Sequence, residues 1–233
     1  MLLPLGRRAL GEFLGTAGLV CAVVGSGIAA QRLSPGDVGL QLLENSVATA
    51  LALVALVLAV TAVSGAPLNP VVTAVEWARR RTSGAEAGAY IVSQVAGGVA
   101  GVVLANAMFG LPLLQAATKD RSGTRLLLSE IVATVGLLLT IHGTAATHAR
   151  AVPFAVASYV GAAYWFTAST SFANPAVTVA RALSDSFAGI APLSVPGFLA
   201  AQAAGAVVAL ALLALLFPPS PAGPPSPAGR ASP

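Results

Sequence analysis

Six stretches of almost unbroken apolar residues run through the chain, near 9–31, 42–63, 85–108, 126–147, 151–168 and 196–217. Each has the length a helix needs to cross the roughly 30 Å hydrocarbon core of a bilayer. Two shorter segments break the pattern, 68–80 and 173–184. Both open on Asn-Pro and both are too short to cross. The pattern therefore predicts six transmembrane helices and two that enter the membrane without spanning it.

The polar residues inside the spans recur in the same order. Glu12 and Thr16 in the first span return as Glu130 and Thr134 in the fourth; Asn69-Pro70 returns as Asn174-Pro175; Gln94 before "VAGGVAG" returns as Gln202 before "AAGAVVA". The chain reads as two copies, one over about 1–110 and the other over about 124–217. Three spans per copy is an odd number, so the second copy enters the membrane inverted. An inverted repeat places any pathway at the interface of the halves.

The Asn-Pro pairs have a local reading. Proline steers the residue before it away from the helix and is itself welcome at the first helical position. Asparagine is a good N-cap. Asn69 and Asn174 thus start two short helices, each roughly 16 Å long at 1.5 Å per residue. Entering from opposite faces, they would meet end to end near the midplane. Each amino end carries about half a positive charge, which repels cations at the meeting point. Irregular backbone at that depth is tolerated only if it is buried in protein or faces a water-filled cavity. The expectation is a narrow polar constriction in a pore. Glu12 and Glu130 fit it as scaffold: a buried carboxylate can accept the unpaired N–H groups of the chain leading into each short helix.

Composition supports the membrane reading. The 233 residues are 56% hydrophobic and 9% charged, against roughly 25% charged in soluble domains. The net charge of +4 is read as orientation, not as nucleic-acid binding. Arg7, Arg8, Arg79, Arg80, Arg81, Arg150 and Arg230 fall on one side, and Arg32, Lys119, Arg121, Arg125 and Arg181 on the other. That bias puts both termini in the cytoplasm. Cys21 stands alone, His142 and His148 have no partner at ligand spacing, and neither a metal site, a cofactor nor an enzyme's catalytic set is expected. Residues 218–233, "PPSPAGPPSPAGRASP", read as an extended disordered tail beyond the channel domain at 1–217.

"SGAPLNPVVT" (Ser64–Thr73) and "SFANPAVT" (Ser171–Thr178), together with the two Glu-x-x-x-Thr pairs, resemble the aquaporin and aquaglyceroporin family. The resemblance runs to about Phe217. It implies an all-α membrane channel, six helices plus two re-entrant half-helices, with four pores in a homotetramer. The pore motifs would be Asn69, Pro70, Val71 and Asn174, Pro175, Ala176.

The departures bear on the solute. Val71 stands where alanine is usual, and Pro67 where many members have histidine. Val177 stands three residues after the second asparagine, where the family usually has arginine. Carried over by ungapped spacing, the other filter positions are Thr49, Ala162 and Ser171. All are small, so the resemblance implies a wide filter without arginine. Such a filter suits small neutral solutes with several hydroxyls: glycerol, urea, arsenite and antimonite. "FANPAVTVARALSDSFAGI" (Phe172–Ile190) with its valine also resembles a bacterial inner-membrane subgroup linked to arsenic resistance and methylated arsenicals. Two other readings stay open. One is an ordinary glycerol and water facilitator. The other is an ion-coupled secondary transporter, since these too use inverted repeats and broken helices.

Overall fold

The computed structural model describes residues 3–217, and the proline-rich segment 218–233 lies outside the described residues. Eight α-helices follow in chain order: α1 (Leu5–Leu33), α2 (Val38–Ser64), α3 (Pro70–Ala78), α4 (Gly84–Met108), α5 (Thr124–His148), α6 (Val152–Phe166), α7 (Pro175–Arg181) and α8 (Val195–Leu216). Five stretches are long and apolar enough to cross a bilayer; the fourth, Thr124–Phe166, is α5 and α6 counted together across the short 3-10 turn at Ala149–Ala151. The two short helices are α3 and α7, the Asn-Pro segments.

Helix ends follow local chemistry. The Asp37 side chain accepts from Leu40 N at the start of α2, and the Ser83 hydroxyl accepts from Glu86 N at the start of α4. Both bonds satisfy amides that have no partner inside the helix. α2 stops at Gly65, whose φ of +85° breaks the helical path at little cost. Proline occupies the first turn of α3, α6, α7 and α8.

Packing repeats between the halves. α1 packs on α2 and α4, and α5 packs correspondingly on α6 and α8. α3 lies against α4 within its own half, and α7 against α8. The halves meet through α2 on α6, α4 on α7 and α3 on α8. Glycine permits the closest approaches. A Cβ on Gly97 of α4 would collide with the Phe13 carbonyl of α1, and one on Gly205 of α8 would come within 2.9 Å of the Ile131 carbonyl of α5. Gly97 lies three residues after Gln94 and Gly205 three after Gln202, so one helix crossing is used twice. Small residues at such crossings let apolar helices pack where lipid gives no hydrophobic drive.

The outward faces carry exposed leucine and valine, such as Leu14, Leu51, Leu104, Leu128, Val207 and Leu215. The polar residues of the spans are inside: Glu12, Gln94, Glu130 and Gln202 are all fully buried. That inside-out distribution belongs to a protein solvated by hydrocarbon.

Candidate functional site: the pore

Asn69 and Asn174 sit just ahead of α3 and α7 in extended conformation, each followed by proline at the first helical position. Asn69 Oδ1 accepts from Val71 N at 2.9 Å; Asn174 Oδ1 accepts from Ala176 N at 3.0 Å and Val177 N at 3.3 Å. These are N-caps. The amide nitrogens do something the sequence did not reveal. Asn69 Nδ2 donates to Ala173 O at 2.8 Å, and Asn174 Nδ2 donates to Leu68 O at 2.9 Å. Each amide carries two N–H groups. One ties the halves together, and the other remains for the lumen that both asparagines line.

The residues leading into each short helix hold strained backbone. Ala66 and Leu68 in one half, and Thr170, Ser171 and Ala173 in the other, have φ between +44° and +63°. Left-handed conformation in non-glycine residues persists only where the surroundings enforce it. Glu12 and Glu130 supply that enforcement. Glu12 Oε2 accepts from Leu68 N at 2.9 Å and Gln94 Nε2 at 2.7 Å, and its Oε1 accepts from Ser64 Oγ at 2.5 Å. Glu130 accepts from Phe172 N and Ala173 N, both at 2.9 Å, and from Gln202 Nε2 at 2.7 Å. Gln94 and Gln202 donate again to Thr73 and Thr178, on the half-helices themselves.

One cavity of about 950 Å3 runs past both asparagines. Toward the end bearing the N-terminus its wall includes Glu76, Arg81, His142 and Arg150. His142 Nδ1 lies 3.2 Å from Arg81 Nη1, and its Nε2 lies 3.5 Å from Glu76 Oε1. Toward the other end the wall includes Thr49, Tyr164, Ser171, Val177 and Arg181. The Tyr164 hydroxyl donates to Thr49 Oγ1 at 3.2 Å.

Of the four filter positions expected from spacing, Thr49, Ser171 and Val177 line this wall. Ala162 does not. It is exposed on the outer face of α6, while Val160 and Tyr164 face the cavity. A shift of two residues turns a helix by about 200°, so a small slip in register exchanges lipid face for lumen. Val71, Pro70 and Ala176 are buried by packing and are absent from the wall. Val71 belongs to a cluster with Leu138 of α5 and Ala206 and Ala209 of α8. Ala176 sits where α7 crosses α4, its carbonyl 3.2 Å from where a Cβ on Gly98 would lie. The two motif positions therefore answer to different neighbours.

None of the four expected filter positions is arginine, but the cavity wall beyond them carries one. Arg181, counted above among the basic residues on the side opposite the termini, is buried and lines the cavity one turn beyond Val177. Its guanidinium carbon lies 3.5 Å from the ring centre of Phe172, and its Nε donates to Ala188 O. Arg121 is buried as well. Its guanidinium lies 4.9 Å from the centre of the same ring and donates to Gly189 O at 2.8 Å and Ser169 O at 3.1 Å. The signal for Arg181 was present in the spacing: Asn174, Val177 and Arg181 stand at i, i+3 and i+7, one stripe of a helix.

Six spans in inverted halves, with two half-helices joined through their caps beside a cavity that both asparagines line, define a membrane channel. The family model described as "Major intrinsic protein" matches residues 3–153. The chain is 48% identical over 216 residues to aquaglyceroporin AqpS of Rhizobium meliloti, covering 93% of this chain and 92% of that protein. It is 35% identical over 191 residues to the probable aquaporin TIP3-2 of Oryza sativa subsp. japonica, covering 78% and 71%. Its fold matches the X-ray structure of the aquaglyceroporin from Plasmodium falciparum with a TM-score of 0.67 at 19% identity, over 92% of this chain and 98% of that one. The chain belongs to the major intrinsic protein family, and so is a passive channel and not an enzyme.

Proposed function

We propose that this channel passes small uncharged solutes broader than water, among them glycerol and trihydroxy metalloids such as arsenite, antimonite and methylated arsenicals, together with water. The observation that carries the reading is Val177 on the cavity wall, between Ser171 and Arg181. Selectivity in such pores comes down to diameter, lining donors and electrostatic barriers. Thr49, Ser171 and Val177 leave space at the lining, and the Val177 side chain offers an apolar patch against which a solute's carbon or arsenic face can lie. Thr49, Tyr164 and Ser171 supply hydroxyls for its oxygens. The name of the Rhizobium relative, an aquaglyceroporin, agrees with passage of polyols.

A plain glycerol and water facilitator is the second reading. Tyr164 favours it, because an aromatic ring on the wall narrows a filter whose other members are small. In either case the protein sits in the bacterial inner membrane as a homotetramer of independent pores. Both termini face the cytoplasm, in line with Arg7, Arg8, Arg79, Arg80 and Arg81 clustered at that end.

Stopped-flow light scattering on proteoliposomes tests the reading, comparing water, glycerol and arsenite for wild type and Val177→Arg. The arginine variant should lose arsenite and glycerol flux before water flux. Equal loss of all three, or none, removes Val177 as the solute-size determinant.

A further inference from the structure

We infer that Arg181 is a specificity-determining residue of this pore: from one turn beyond Val177 it supplies the fixed positive charge that turns cations away and N–H donors for the oxygens of passing solutes. The inference goes beyond the identity of the solute, because it concerns what is excluded as well as what is carried.

Direction comes first. α7 runs from the midplane outward, and helical side chains lean toward the amino end of their helix. Arg181 therefore folds back over the turn that holds Val177, toward the asparagines and away from the mouth. Its stacking on Phe172, two residues before Asn174, measures how far it reaches. A cation over an aromatic face is also held in orientation by the ring's charge distribution.

Hydrogen bonds come next. Nε is taken by Ala188 O. The two terminal nitrogens have no acceptor among the described residues, and they are not among the buried atoms sealed away without a partner. Arg181 is 2% exposed and lines the cavity, so these unpaired N–H groups are the donors it keeps available on that side. Arg121 contrasts with this. Its guanidinium is bound to two backbone carbonyls and does not belong to the cavity wall. It anchors the loop and adds charge from behind the ring.

The balance of charge has the same sign. Neither arginine forms an ion pair among the described residues. Glu130, beneath Phe172, is the carboxylate of this region, and it is engaged by the Phe172 and Ala173 amides. Two guanidiniums on one ring over one carboxylate leave a net positive field in a low-dielectric wall, where it is weakly screened. A channel that puts valine at position 177 thus keeps the electrostatic barrier while the side chain at that position itself stays small and apolar.

The test uses the full chain in proteoliposomes, reading sodium leak with a membrane potential dye and water flux by light scattering in the same preparation. Arg181→Met should raise the ratio of sodium leak to water flux about tenfold, and Arg181→Lys should leave it near the wild-type ratio. An unchanged ratio in Arg181→Met overturns the inference. If that variant does not assemble, the decisive measurement is Val177→Cys in a Cys21→Ala background. The introduced thiol is reacted with an anionic and a cationic methanethiosulfonate of similar size, each rate taken relative to the same reagent on a free thiol, so that burial of the thiol cancels. A guanidinium leaning over that position should make the anionic reagent about tenfold the faster of the two. A cationic reagent as fast as the anionic one overturns the inference. Neither readout involves glycerol or arsenite, so this inference and the solute reading fail separately.

Discussion

Asn69 donates through its side-chain amide to the carbonyl of Ala173 at 2.8 Å, joining two half-helices that lie 104 positions apart in the chain. The converse bond, Asn174 to Leu68, completes a two-fold clasp. Asn69→Asp keeps the capping oxygen and replaces the donor with an acceptor facing the Ala173 carbonyl. It should cost about 1–3 kcal/mol, the usual cost of a buried polar group left unpaired, and Asn174→Asp should cost the same. Thermal unfolding in detergent measures both. A neutral Asn69→Asp beside a damaging Asn174→Asp would show that the clasp does not hold the halves equally.

Glu12→Gln and Glu130→Gln address the scaffold. Each carboxylate accepts three donors, two of them on the loop or helix it positions. A carboxamide retains one oxygen and turns an NH2 toward those donors. Each change should lower stability by about 3 kcal/mol, given that bonds to charged groups are the stronger ones. Yield of monodisperse protein and its melting temperature report this. A variant that folds like wild type and loses only a pH dependence of flux would instead mark the carboxylate as a proton carrier.

Close helix crossing predicts a contrast within α4. Gly97→Ala drives a methyl into the Phe13 carbonyl, whereas Gly88 has open space where a Cβ would go. Gly97→Ala should destabilise by about 1–3 kcal/mol, and Gly88→Ala should stay within about 0.5 kcal/mol of wild type. Similar melting temperatures for the two variants would mean that α1 and α4 are not fixed at this separation.

The six spans were legible because length and apolarity act locally, and the half-helices because Asn-Pro carries its own cap and stop. The roles of Glu12 and Glu130 could be read from their recurrence beside the same partners. The lumen face of α6 could not. It depends on how that helix is rotated against α2, which leaves Tyr164 inside and Ala162 outside. Arg121 and Arg181 were read only for the membrane side they favour; their burial was not legible because their partners are backbone carbonyls and one aromatic ring, assembled by loops that the apolar pattern does not describe. Residues 115–117 pair with the end of α7 through Gln115 N to Leu183 O and Ala117 N to Ala182 O, which brings Arg121 onto Phe172. No local signal in 113–123 announces that docking.

Lys119 offers a direct measure of the positive field at this end. It is the chain's one lysine, in the loop between α4 and α5, donating to Phe187 O at 3.0 Å. Partial burial, then the charges of Arg121 and Arg181, bring its ammonium down to about 8. Its side chain is nonetheless largely exposed and lies over the Phe187 ring at 4.4 Å, and both features favour the charged form and oppose the shift. Between that value and the ordinary figure of about 10.4, the unfolded chain binds more protons than the folded one. Stability should therefore rise with pH across this window. Reductive methylation with 13C followed by NMR titration reads the site directly, with Lys119→Arg assigning the signal. The midpoint should fall below about 10.4, and it should move upward in Arg181→Met, which removes the smallest of the three causes and leaves burial in place. A midpoint at the ordinary value, unmoved by that substitution, would mean that Arg181 exerts no field at the mouth.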